Sequence, residues 1–297
     1  MSKTLIHVGR TSSMLLPCIA VNFLLQAQQV KTTSWEEAQK NKQATILVHY
    51  IQTPMFSFSS SPKDKPKGIC VDLMEHFAKY LEMRKGVRVN IIYQPYDDFV
   101  KFYETVKTAP SGSFGIGNIT ITEARKKEVR FSPPFISNTT VLLTHNSVPT
   151  LRKLELLGKD FAGMTAYTVK GTTNAQRIEA LKKQYMPDLQ IKYLTSSIDA
   201  LKMIVQDPKS FTNLDFVYYN DAIRDNLPVK RHPVGDFTAE EFGIMMPMVS
   251  DWHLVMQEFF AAEGKNYRNS PEYRASLNTH LGESAVRLLE SIQMKRY

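Results

Sequence analysis

The sequence predicts an α/β protein, with length for one large or two moderate domains. Two observations lead there. Runs of β-branched and aromatic residues alternate along the chain with segments whose apolar residues recur at helical spacing. In addition, 297 residues with 43% hydrophobic content can bury large cores. Charged content is ordinary at 22%, so disorder is not indicated. The formal charge of +8 is spread out. Its clusters at 125–127 and 182–183 are short, lack interleaved aromatics and read as solvated faces, which argues against a nucleic-acid partner.

Lys3 and Arg10 precede an apolar run at 14–25, followed by Gln26-Ala27-Gln28. This pattern predicts a cleaved secretory signal over 1–27 and a periplasmic protein. Twelve helical residues reach only about 18 Å, against a hydrocarbon core of about 30 Å, so a permanent span is not expected. Losing Lys3 and Arg10 takes the charge from +8 to 8 − 2 = +6. Cys18 would leave with the signal; Leu15-Leu16-Pro17 lacks the small residues of a lipid-attachment site. Cys70 is then alone, a small buried hydrophobe rather than half of a disulfide.

Residues 28–43 read as an N-terminal extension, with a short helix opened by the capping-box spacing of Ser34-Trp35-Glu36-Glu37. A strand follows at 44–50, then a loop, Pro54-Met55-Phe56-Ser57-Phe58, and a Ser/Lys/Pro-rich surface segment at 59–66. Gly68 leads into a helix to residue 82, with Met74, Phe77, Ala78 and Leu81 on one face. A strand at 87–93 and a helix at 97–107 carrying Phe99, Phe102, Tyr103 and Val106 come next.

The stretch from 117 to 135, GNITITEARKKEVRFSPPF, organises the rest. Ile119 to Thr122 reads as a strand end. Thr122 has the hydroxyl to cap a short helix, which the prolines at 133 and 134 then stop. This geometry presents the Thr120 hydroxyl, backbone groups of Asn118 and Thr120, and the planar fork of Arg125, which suits a carboxylate. Together these could hold a small zwitterion.

The ordered set Asn118, Thr120, Ile121, Thr122, Arg125, Phe131, Ser132, Pro134 and Phe135 resembles the family 3 solute-binding proteins, the polar-amino-acid receptors of bacterial uptake systems. The resemblance covers about residues 44–262. It implies the two-lobed periplasmic binding protein type 2 fold, with two hinge-crossing strands and a ligand cleft between the lobes. Lobe 1 would take 44–140 plus 247–297, and lobe 2 would take 141–246. It also implies that Thr120 and Arg125 hold a ligand α-carboxylate, and that Phe56 covers the ligand. Ile69, Cys70 and Ser113 depart from the family's usual residues.

Beyond the first crossing strand at 139–144, residues 154–163 approach a strand at 164–169. Lys170-Gly171-Thr172-Thr173-Asn174 then starts a helix reaching about 185. Glycine allows close backbone approach, and free N–H groups at a helix start favour an anion. In register with the arginine, Gly171, Thr172 and Thr173 become a second clamp on the carboxylate. Ser197 opens a further helix. Residues 214–221 read as a strand with an acidic end. The family places an ammonium-binding aspartate five residues after an aspartate at this strand's start. Asn220 lies five after Asp215 and Asp221 lies six after, so either faces the ligand. A returning strand at 242–248 and helices from 250, 270 and 283 complete the chain.

The histidines are scattered, and no HExxH, P-loop, GxGxxG or GxSxG is present. Glu240 and Glu241 point to different faces and suggest nothing specific. No metal, cofactor or enzymatic activity is predicted. The expected function is capture of an amino acid or similar small carboxylate by a monomer that closes about its hinge and delivers the ligand to an ABC-transporter permease. The alternatives are an exported enzyme on the same scaffold, as in cyclohexadienyl dehydratases, and a sensing module without transport.

Overall fold

A computed structural model of the chain describes residues 30–61, 64–262 and 266–287. The signal at 1–27, Cys18 and the end of the last helix lie outside the described residues. Ser34 caps helix α1 (Trp35–Asn41) with both bonds of the capping box. The first lobe continues through β1 (Gln43–Ile51), α2 (Ile69–Lys85), β2 (Arg88–Tyr96), α3 (Phe99–Thr108), β3 (Ser113–Ile116), α4 (Glu123–Lys126) and β4 (Val129–Phe131). The second holds β5 (Ile136–His145), α5 (Leu157–Asp160), β6 (Thr165–Val169), α6 (Thr173–Tyr185), β7 (Gln190–Leu194), α7 (Ser197–Gln206), β8 (Ser210–Asp215), α8 (Phe216–Arg224) and β9 (Val229–Phe242). The chain returns with β10 (Met245–Pro247), α9 (His253–Phe260) and α10 (Pro271–Leu281).

Each lobe is built on a five-stranded mixed sheet, in the orders β2-β1-β3-β10-β4 and β7-β6-β8-β5-β9. The parallel strands are joined by helices, as parallel pairing requires. The chain changes sheets at residues 132–135 and again at 243–244. The two passages are stitched side by side: Ser132 N–H donates to Ile244 O at 2.9 Å, and Phe135 N–H to Phe242 O at 2.9 Å. The sequence-read boundaries lie a few residues later. All of β5 pairs within the second sheet, where Ile136 lies opposite Phe242. The returning strand is accordingly divided: residue 242 ends β9 and residue 245 begins β10.

One element differs in kind. The run 214–221 is not a single strand, because β8 stops at Asp215 and α8 begins at once. Phe216, Val217, Tyr218 and Ala222 are the buried face of that helix. Their β-prone composition reflects burial, not an extended backbone. Likewise Ser196, one residue before Ser197, caps α7.

Trp252 anchors the first lobe's core. It is fully buried against Trp35, Phe77 and Phe114, and its indole N–H donates to Thr33 O at 3.0 Å. The bond ties the segment before α1 to the far end of the chain. Trp252→Ala should lower stability by about 3–5 kcal/mol, read as a reduced midpoint in urea with little change in slope.

Cys70 is buried in the first turn of α2, where its thiol approaches Gly117 O at 3.6 Å. Burial raises its pKa, which makes it inert.

Candidate functional site

The 117–135 stretch lies where the lobes meet. Gly117, at φ +140°, has no room for a side chain: an added Cβ would lie 2.4 Å from Ile51 Cγ2. This turn delivers Asn118, Ile119 and Thr120 to the hinge. There Ile121 N–H donates to Glu241 O at 2.8 Å, and Gly243 N–H to Ile119 O at 3.2 Å. Thr122 caps α4 by accepting from Arg125 N–H at 3.1 Å, as the sequence predicts. That cap aims the Arg125 side chain into the cleft.

Arg125 is half-buried over the rings of Phe99 and Tyr103, 5.3 and 5.6 Å from their centroids. Its guanidinium donates to Thr120 O at 2.9 Å and, across the cleft, to Gly171 O at 3.1 Å. Burial lowers its pKa, against the opposing pull of Tyr103, Glu240 and Asp215, and it remains a cation. Further bonds join the lobes around it. Thr120 and Thr173 hydroxyls are 3.3 Å apart, Phe99 N–H donates to Thr195 O at 3.2 Å, and the Asn118 amide donates to Asp215.

Asp215 is the centre of the second lobe's contribution. It sits at the C-terminal end of β8 and is 2% exposed. Its carboxyl accepts from Asn118, from Asn138 Nδ2 at 2.8 Å and from Asn174 Nδ2 at 3.5 Å. The second N–H of the Asn138 amide goes to Glu240 Oε2 at 3.0 Å, and Thr120 Oγ1 lies 3.4 Å from the same oxygen. Burial first, and the Glu240 carboxylate second, push the Asp215 carboxyl above the usual carboxylate range; the three amides oppose the shift. Tyr218 closes the floor, its hydroxyl among Thr53, Ser197 and Asn118.

Arg125 and Asp215 line one cavity, together with Asn118, Thr120, Thr172, Thr173 and Asn174. Its volume of about 20 Å³ holds roughly one water, so any larger occupant requires the lobes to part. Asn174 is buried there, and its Oδ1 has no hydrogen-bond partner among the described residues. An acceptor in that position calls for a donor.

Of the residues expected at the site, Asn118, Thr120, Arg125, Thr172 and Thr173 line this cavity. Thr172 is also the cap of α6, accepting from Ala175 N–H at 3.1 Å. Gly171, at φ +79°, contributes its carbonyl to Arg125. Three expectations fail on position. Phe56 is 1% exposed in the core, edge-on to Phe135 and Phe242, because the 54–58 loop folds inward. Asn220 lies on α8 with its amide 3.5 Å from Met55 sulfur. Asp221 lies one residue further and pairs with Arg224. The helix that starts at 216 carries both away from the cavity. Asp215, Asn174, Asn138, Tyr218 and Glu240 were missed. Asp215 lies five residues after Ser210, where β8 starts, but a serine stands where the family pattern has an aspartate, so the count had no mark to start from.

Two α/β lobes meeting over a charged cavity define a ligand-binding protein. The chain belongs to the bacterial extracellular solute-binding proteins, family 3, whose model matches residues 46–284. Solved structures share the fold. An ancestral arginine-binding protein bound to arginine aligns over 80% of this chain and 98% of its own, at 22% identity and a TM-score of 0.64. A substrate-binding protein of an ABC uptake transporter from Streptococcus pneumoniae, with bound histidine, aligns over 84% and 96%, at 19% identity and a TM-score of 0.64. The GluR0 ligand-binding core of Nostoc punctiforme, in complex with glutamate, aligns over 80% and 99%, at 17% and 0.62. A curated relative, the membrane-bound lytic murein transglycosylase F of Pseudomonas putida, is 26% identical over 150 residues, which is 50% of this chain and 29% of that protein. Among the described residues no helix is long and apolar enough to cross a membrane.

Proposed function

We propose that the protein captures an α-amino acid between its lobes, as an exported receptor that passes its ligand to an ABC transporter. The observation that carries this reading is the opposition of Arg125 and Asp215 across one cavity. The fork of Arg125 suits an α-carboxylate, supported by the Thr120 hydroxyl and by the N–H groups at the start of α6. Asp215 and the free Oδ1 of Asn174 suit an α-ammonium, which has three donors to place. Closure then follows from differential affinity: a ligand held by one lobe completes its contacts only when the other arrives.

A thermal-shift screen tests this. The protein is unfolded and refolded to strip carried-over ligand, then offered the twenty common L-amino acids and a set of dicarboxylates and aromatic acids that lack an amine, one at a time. An amino acid at 100 times its dissociation constant should stabilise the fold by about 2.7 kcal/mol, a clear rise in melting temperature. Hits confined to acids without an amine would keep Arg125 as the anchor and remove Asp215 as its counterpart.

A second reading has one observation in its favour. A buried carboxyl held above its ordinary pKa, as Asp215 is, suits a general acid. On a dehydratase of this scaffold Asp215 would protonate a leaving hydroxyl while Arg125 held the substrate carboxylate. Turnover of prephenate or arogenate would favour that reading; tight amino-acid binding without turnover favours the receptor.

A further inference from the structure

The amide of Asn138 stands between two buried carboxyl groups, donating to Asp215 Oδ1 at 2.8 Å and to Glu240 Oε2 at 3.0 Å. Glu240 is 6% exposed, at the hinge end of β9. Its neighbour Glu241 faces the other way, with Arg268 at 3.8 Å. Two carboxylates this close in a buried setting repel each other, and a proton on one relieves the repulsion. The surrounding charges do not cancel both. Arg125 reaches the pair from α4 but is engaged by Thr120 O, Gly171 O and the rings of α3. Arg177, on α6, feels Glu240 but lies with its guanidinium 3.7 Å from the Phe237 ring centroid. Tyr218 from α8 faces Asp215, and Asp97 shares the cavity wall, adding no positive charge.

The acids also differ in what surrounds them. Asp215 lines the cavity, beside the unpartnered Oδ1 of Asn174. Glu240 lies behind it, held by Asn138 and Thr120. The outer acid is therefore the one that meets a ligand.

Resting on the receptor reading, we propose that Glu240 is a second acid of the ligand site: it keeps a proton on Asp215, and an amine is bound in exchange for that proton. The balance is simple. A protonated amine enters, the Asp215 carboxyl gives its proton to the buffer, and a carboxylate–ammonium pair remains beside Glu240. Glu240 is thus a positioning residue for charge, and it tilts the site towards ligands that bring a full positive charge to Asp215. The direction of the Asp215 shift agrees with this.

The exchange is read in two ways. Without any amino acid present, a carbon-13 NMR titration of aspartate-labelled protein, assigned through Asp215→Asn, should show one aspartate titrating well above the ordinary range near 4. In Glu240→Gln, which keeps an acceptor for Asn138 and Thr120, that midpoint should fall. With the L-amino acid giving the largest thermal shift, binding in weak buffer with an indicator dye should release up to one proton per ligand at pH 6. Release should fade towards pH 8, and Glu240→Gln should release markedly less at pH 6. The apparent dissociation constant of the wild type should rise by up to tenfold for each unit that the pH is lowered below the Asp215 midpoint. An ordinary Asp215 midpoint, or amino-acid binding without proton release, would overturn the exchange and leave the receptor reading standing. If none of the twenty amino acids binds, the receptor reading fails and the exchange with it, whatever the midpoint.

Discussion

Arg125→Ala should weaken amino-acid binding by about 2–5 kcal/mol, or about 30-fold to several thousand-fold in dissociation constant. The loss is large because a carboxylate taken into the cleft would keep its desolvation cost and lose the one cation that lines the cavity among the described residues. Titration calorimetry reads it directly. Arg125→Lys separates charge from shape. It retains the cation but not the planar fork that now spans Thr120 O and Gly171 O. It should recover only part of the affinity. Near-wild-type binding by Arg125→Ala would remove the arginine as anchor.

Asp215→Asn should move binding and stability in opposite directions. Binding of an amine should weaken by about 2–5 kcal/mol, since the ammonium loses its counter-ion in a dry setting. Stability follows the opposite sign. Burial raises the carboxyl's pKa in the folded protein. Its stabilising share is therefore full below the unfolded value near 4 and is lost as pH rises through the folded value. Relative to wild type, the asparagine variant should fare better at pH 8 than at pH 5. Paired denaturant curves at those two pH values check the sign. A variant that is weaker in both binding and high-pH stability would make Asp215 a structural residue.

Local chemistry is readable in the sequence wherever neighbouring residues decide the outcome. The capping box at Ser34 and the Thr122 cap concern groups within a turn of each other, whereas the expected proline stop fails: α4 ends at Lys126, and β4 (Val129–Phe131) intervenes before the prolines at 133 and 134. The short reach of the Thr122 cap is why the Thr120–Arg125 half of the cavity is legible in the order of residues alone. The other half depends on where a strand ends, and the aromatic run after Asp215 masks that point. Phe216, Val217 and Tyr218 look extended by composition, yet they are buried by a helix. Misplacing that boundary moves the acid by five or six positions, onto Asn220 and Asp221. Glu240 is unreadable for a different reason. Nothing local distinguishes it from Glu241; only the pairing of β5 with β9, which sets Asn138 opposite Glu240, turns one inward. Phe56 shows the same limit: an aromatic in a loop carries no mark of facing a ligand or the core.

The bond from Arg125 to Gly171 O has a cost for the ligand. The guanidinium that would receive a carboxylate is also a fastener between the two lobes. A ligand carboxylate would have to compete there with a backbone carbonyl of the protein itself. If only one molecule in ten stands open, the measured dissociation constant is ten times the intrinsic one, about 1.4 kcal/mol of lost affinity. Weakening the fastener without touching the cavity's charges would then tighten capture, and tuning that one contact sets the concentration at which the protein responds.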